Sequence, residues 1–242
     1  MTPAPDERPV GTPLPDWRRP PAPEALTLVG RTVTLEPLEH RHAPALHAAW
    51  ARHDELWTYL PWGPFEAPDA IESLVDGLTA QADWRPHAVV VDGTAHGMIS
   101  YLRIQPAAGS IEIGGITYGP AIQRSAVTTE ATFLLAERAF ALGYRRLEWK
   151  CDSLNAASRR AATRFGFTEE GTHRQATVVR GRNRDTTWFS ILDHEWPQRR
   201  AEFERWLDPA NHIDGRQRTP LRMWWSDDVD PAGGADCGGG HR

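Results

Sequence analysis

Apolar positions along this chain switch repeatedly between a period of two and a period near 3.6 residues, the spacings that mark strands and helices. Val33, Leu35 and, past Pro37, Leu38 alternate as a strand, while residues 44–50 set Leu46, Ala49 and Trp50 on one side of a helix. A second helix is predicted from Pro68-Asp69, where proline suits a first turn and Ile71, Leu74, Val75 and Leu78 recur at helical spacing. Residues 88–91 and 96–104 flank Asp92-Gly93, a dipeptide suited to the tight turn of an antiparallel hairpin. Residues 111–116 read as a buried strand broken by Gly119-Pro120, and residues 132–140 as an apolar-faced helix ending at Gly143. The next strand, 146–151, puts Leu147, Trp149 and Cys151 on one face. A helix from Asn155 to about Phe165 follows, with Gly166 as its C-terminal cap. Strands at 172–179 and 186–192 are joined by a turn at Gly181 and Asn183, and Trp196-Pro197 starts a last helix that turns Phe203, Trp206 and Leu207 inward. The fold class is α/β: a mixed sheet in which a hairpin cluster precedes a strand–helix–strand–helix crossover.

At 242 residues and 40% hydrophobic, the chain has enough apolar material for one domain with a sizeable core. That domain is expected at 26–210, between a proline-rich arm (1–25) and a glycine-rich, flexible tail (211–242), neither of which can bury a core of its own. Trp17 and Trp224-Trp225 are expected to dock on the domain, or, for the second pair, on another subunit of a homodimer. A net charge of −5 with arginines spread along the chain argues against nucleic acid as a partner. No apolar run approaches the roughly 20 residues that span a bilayer. The first residues lack a signal peptide's charged start and apolar middle, so a soluble, cytoplasmic protein is expected. Cys151 and Cys237 form no disulfide framework and are expected to be reduced.

Two segments carry candidate chemistry. Gln123-Arg124-Ser125-Ala126-Val127-Thr128-Thr129-Glu130-Ala131 leads from a strand into a helix, where free backbone amides and the positive dipole end could hold a pyrophosphate. Ser125, Thr128 or Thr129 could equally be an ordinary N-cap. Thirty-two positions past Gln123, Asn155-Ala156-Ala157-Ser158 opens the helix after the neighbouring strand, facing the same crevice at the strands' carboxyl ends.

Together these segments resemble the GNAT acyltransferases. Their coenzyme-A motif is Gln/Arg-x-x-Gly-x-Gly/Ala, and their next helix begins Asn-x-x-Ala/Ser and ends in Gly-Phe, here Gly166-Phe167. Similarity to the ribosomal-protein-alanine acetyltransferase branch runs from about Leu28 to Trp196 and includes Thr129-Glu130-Ala131 and Trp57-Thr58-Tyr59-Leu60-Pro61. The resemblance implies a mostly antiparallel mixed sheet with a central parallel strand pair flanked by helices. It implies acetyl-CoA as acyl donor, bound by Gln123, Arg124, Ser125, Ala126, Val127, Thr128 and Asn155, and a primary amine or peptide N-terminus as acceptor. Ala126 and Thr128 replace glycines of the motif, which leaves less room for close backbone approach. Where many GNAT enzymes carry a tyrosine that protonates the departing thiolate, this chain has Ala162. Ser158 is then the candidate donor, its alternative being a first-turn serine bonded to its own backbone.

Glu112, a carboxylate in a strand otherwise built for burial, is the candidate general base; its alternative is a glutamate paired with an arginine. Trp57, Tyr59 and Trp62, with Phe65 and two prolines, form an aromatic loop expected to shape acceptor choice. Arg174, Arg180, Arg182 and Arg184 cluster at the last hairpin, either drawing in an acidic substrate or the cofactor's ribose phosphate, or lying in solvent. Cys151 reads as a core residue rather than a nucleophile, and the histidines lack zinc-ligand spacing, so no metal is expected.

Overall fold

A computed structural model describes residues 8–213 and 216–221. Eight strands form one sheet in the order β1-β2-β3-β4-β5-β6-β8-β7. These are β1 (Leu28–Val29), β2 (Thr34–Pro37), β3 (Arg85–Val91), β4 (Thr94–Gln105), β5 (Ser110–Tyr118), β6 (Arg146–Asp152), β7 (Thr168–Val179) and β8 (Arg182–Leu192). Every neighbouring pair is antiparallel except β5 and β6.

Helices cover the two faces unequally. On one face α1 (Ala43–Trp50) and α2 (Pro68–Thr79) bury Leu46, Trp50, Ile71 and Val75 against Ala88, Val90 and Met98. On the other, α3 (Ala126–Ala141), α4 (Ala156–Arg164) and α5 (Trp196–Leu207) close over Ile111, Leu147, Trp149, Phe189 and Ile191. The expected alternation of Leu147, Trp149 and Cys151 is therefore a core face. The α1–α2 face of the β5–β8 half carries polar side chains instead.

The last hairpin turns one pair earlier than expected. Val179 pairs with Arg182, and Arg180 and Gly181 both take positive φ (51° and 72°), as a two-residue turn matching the strand twist requires. Asn183 lies within β8, not in the turn.

The arm does not trail away where it is described. Tyr144 donates its hydroxyl to the Pro21 carbonyl at 3.1 Å, Arg85 donates Nε to the Pro23 carbonyl at 3.1 Å, and Trp17 packs beside Gly109. Beyond α5, Asn211 donates Nδ2 to the carbonyls of Trp206 (3.0 Å) and Thr219 (3.1 Å). Short strands β9 (His212–Ile213) and β10 (Arg216–Gln217) pair there, and Leu221 is buried. Trp224, Trp225 and Cys237 lie outside the described residues. Among the described residues no helix is long and apolar enough to cross a membrane.

Candidate active site

Strands β5 and β6 pair with each other for only three residues, Ser110↔Arg146 to Glu112↔Glu148, and then part, continuing to Tyr118 and Asp152 against β4 and β8 alone. The cause is in β5. Between Ser100↔Gly114 and Met98↔Thr117, two residues of β5 face one of β4, and Gly115 takes φ 60° to make the bulge. A side chain there would meet the Trp84 ring at 3.1 Å and Ser100 Oγ at 3.2 Å, so the position requires glycine twice over. The result is a cleft open at the carboxyl ends of both strands, where α3 and α4 begin.

The start of α3 leaves its first-turn amides without a side-chain cap. Its N-cap Ser125 makes no capping hydrogen bond to the helix, because its hydroxyl donates back to the Ile122 carbonyl at 2.5 Å. Thr128, in the position of a motif glycine, also folds inward, donating to the Ser125 carbonyl at 3.1 Å. The first-turn amides thus keep no side-chain acceptor, and the threonine does not stand over them. Gln123 and Arg124 are exposed, with Gln123 donating Nε2 to the Tyr118 carbonyl at 2.8 Å, and Ala126 and Val127 are half-buried. These residues fit a pyrophosphate.

Across the cleft, Asn155 caps α4 by accepting from the Ser158 amide at 3.0 Å. The Ser158 hydroxyl accepts from Trp149 Nε1 at 3.0 Å and also bonds with Cys151, whose thiol burial pushes up. Ser158 is thus fixed at the cleft wall by the indole rather than free to turn. Cys151 is buried and its raised pKa keeps it a thiol. Ala162 is wholly buried.

Glu112, 1% exposed, leans along β5 toward the bulge; a Cβ at Gly114 would sit 3.0 Å from its Oε1. Its Oε2 lies 3.3 Å from Arg103 Nε and 3.5 Å from Lys150 Nζ. Arg103 reaches it because of a second bulge. Leu102↔Glu112 and Gln105↔Ser110 leave two residues of β4 opposite one of β5, and Arg103 takes φ 48°. Burial pushes the Glu112 carboxyl up to about 7, with Lys150 and Arg103 drawing it down and Glu148 adding to the rise. The expected pairing with an arginine is present, and burial keeps the carboxyl protonated to higher pH than an exposed glutamate.

The aromatic loop divides. Trp57, at 2% exposure, sits edge-on to Trp50 (5.2 Å) and Phe65 (5.1 Å) in the smaller core, so its ring is not available to an acceptor. Tyr59 donates its hydroxyl to the Leu154 carbonyl at 3.1 Å, which ties this loop to the entrance of α4. Trp62 packs edge-on to Trp84 at 6.1 Å, and Trp84 lies against the Gly115 bulge. From the opposite side Arg180 donates to the carbonyls of Trp62 and Gly63.

Residues 32–168 match the pattern of the acetyltransferase (GNAT) domain, more than half of the chain. The chain belongs to the GNAT acetyltransferase family. Among solved structures, a GCN5-related N-acetyltransferase from Brucella melitensis is 42% identical, covering 86% of this chain and 97% of its own, with TM-score 0.83. A "probable acetyltransferase (GNAT family)" from Chromobacterium violaceum ATCC 12472 is 45% identical over 80% of this chain and 100% of its own, with TM-score 0.75. The "Putative ribosomal N-acetyltransferase YdaF" of Bacillus subtilis (strain 168) is 25% identical over 181 residues, 69% of this chain and 95% of its own. As a GNAT enzyme the chain is an acetyltransferase, and its mostly antiparallel sheet with the parallel β5–β6 pair is the family's fold.

Arg103, Glu148, Lys150 and Trp84 were not singled out as site residues by sequence. A strand lysine or arginine reads as solvent-facing, and nothing in the local pattern announces the bulge that brings Arg103 round.

Proposed function

We propose that this GNAT enzyme moves the acetyl group of acetyl-CoA to a primary amine by direct transfer in a ternary complex. The observation that carries this is the cleft itself: first-turn amides of α3 with no side-chain cap on one side, and the buried carboxyl of Glu112 at its base. The amides of residues 126–128 hold the pyrophosphate. Glu112 takes a proton from the acceptor's ammonium, directly or through water. The freed amine nitrogen bonds to the thioester carbonyl carbon, the carbon–sulfur bond breaks, and Ser158 gives the departing sulfur a proton. Backbone donors of β5 at the bulge stabilise the oxyanion, typically the larger contribution at about 3 kcal/mol per donor.

The acceptor is either the α-amine of a protein, which the name of the Bacillus relative favours, or a small aminoacyl compound. A second reading, an acyl-CoA-binding regulatory module without turnover, draws on the burial of Ala162 where a donor hydroxyl is usual. Thiol release from acetyl-CoA against amines, amino acids and short peptides, run beside calorimetry, separates them. Cofactor binding with turnover lost in Glu112→Gln supports transfer. Binding with no turnover by the wild type supports the module, and no binding at hundreds of micromolar sinks both.

A further inference from the structure

We infer, resting on the transfer reading, that the acceptor is the amino-terminal segment of an acidic chain, guided across the sheet by Arg184 and Arg182. Successive side chains on a strand alternate between faces, so Arg182, Arg184 and Trp188 on β8 share one side. Pairing identifies that side. Trp188 opposes Lys150, which approaches Glu112 to 3.5 Å on the part of the α1–α2 face that those helices leave uncovered. From Trp188 outward to Arg182 is six residues of antiparallel strand, about 20 Å at roughly 3.4 Å each. A guiding track therefore begins beside the general base and leads away from it.

The charges along that track are not used up by the protein. Nearer the base the signs are matched, with Arg103 and Lys150 on Glu112 and Arg146 on Glu148. Arg182 and Arg184, by contrast, make no ion pair among the described residues, and Asp185 points to the other side of the strand. Arg184 Nε and Trp188 Nε1 are buried donors with no hydrogen-bond partner, an unfavourable state unless a ligand supplies acceptors. Arg180 is committed elsewhere, holding the Trp62 and Gly63 carbonyls and so fixing the hairpin beside the aromatic loop. Backbone carbonyls of a peptide suit the indole donor, and acidic side chains farther along suit the arginines.

Length decides for a peptide over a carboxylated small amine, because one carboxylate next to the reacting nitrogen could not reach across this span. The cofactor's phosphates are not the intended anion, since the helix that receives them, α3, packs on the opposite face.

The test is the ratio of kcat/KM, with full-length enzyme and acetyl-CoA, for peptides of about six residues sharing a first residue and differing beyond it. One is acidic, one neutral and one lysine-rich. Acidic should exceed neutral by about tenfold, as two partly exposed charge pairs allow. The advantage should shrink in about 0.5 M salt. In the double variant Arg182→Glu with Arg184→Glu the order should invert in favour of the lysine peptide, a gain that misfolding cannot imitate. Equal use of acidic and neutral peptides, or turnover of free amino acids alone, overturns the inference and leaves acetyl transfer standing. Thiol release with no acceptor at all overturns both.

Discussion

Arg103 Nε lies 3.3 Å from the Glu112 carboxylate although alternation along β4 would send it to the other face. The bulge that gives Arg103 a φ of 48° makes this contact, and the guanidinium is steadied by the Trp188 ring 4.9 Å beneath it. Burial raises the proton affinity of the candidate base, and Arg103, after Lys150, draws it back down. With Glu112 at about 7, kcat/KM should rise with pH through neutrality as the carboxylate ionises. Arg103→Gln removes a cation that lowers that value, so the rising limb should move to higher pH. Glu148→Gln removes a like charge and should move it lower. Shifts in the same direction would show that another group governs the profile.

The same carboxyl leaves a mark on stability. Glu112 is raised from 4.5 to about 7, so between those values the folded state holds a proton the unfolded chain has lost, and stability falls as pH rises. His87 is buried and lowered from 6.5 to about 4, so between those values only the unfolded chain is protonated, and stability rises with pH. From about pH 5 to about pH 6.5 the two slopes cancel in the wild type. Glu112→Gln uncovers the histidine slope, and urea melts should find that variant about 2 kcal/mol weaker at the lower pH. A flat profile for the variant would remove His87 from the account.

Much of this arrangement was legible in the sequence, and the part that was not has one cause. Periodicity located the helices and most strands, and the paired segments at Gln123 and Asn155 located the cleft, because each depends on neighbours within one turn or strand. The contact between Arg103 and Glu112 depends on how two strands register, and Trp57 is buried by Trp50 and Phe65, one on either side of it in the chain. An aromatic loop reads alike whether its rings face a pocket or one another.

If Ser158 is the proton donor of the proposed transfer, Ser158→Ala should lower kcat by about a hundredfold while leaving the KM for acetyl-CoA nearly unchanged. The change also strips Trp149 Nε1 of its acceptor, costing about 1 kcal/mol of stability. That stability loss without the kcat loss would restrict Ser158 to holding the indole.

Arg180→Ala frees the loop carbonyls of Trp62 and Gly63 and should raise the acceptor KM roughly fivefold. Calorimetry should find acetyl-CoA affinity unaltered, because the loop and the start of α3 lie on opposite faces. Equal losses for both substrates would mean that the hairpin braces the whole cleft.

Glu130 accepts from the amides of Arg31 (2.8 Å) and Thr32 (2.6 Å) and from the Thr32 hydroxyl (2.5 Å), pinning the β1–β2 turn to α3. Glu130→Ala leaves these donors without an acceptor and should cost about 3 kcal/mol. Denaturant unfolding measures it directly; a cost under about 1 kcal/mol would mean that water substitutes for the carboxylate.

The order β6-β8-β7 has a consequence for synthesis. Strand β7 pairs only with β8, and β8 fills the free edge of β6, so a ribosome that has delivered β7 has delivered a strand with nowhere to bind. Leu147, Trp149 and Cys151 must wait beside an open edge until Phe189, Ile191 and then α5 emerge. The nascent chain is therefore most exposed to mispairing while the stretch between β6 and α5 is being made, the interval in which a chaperone or a slow codon has most to offer.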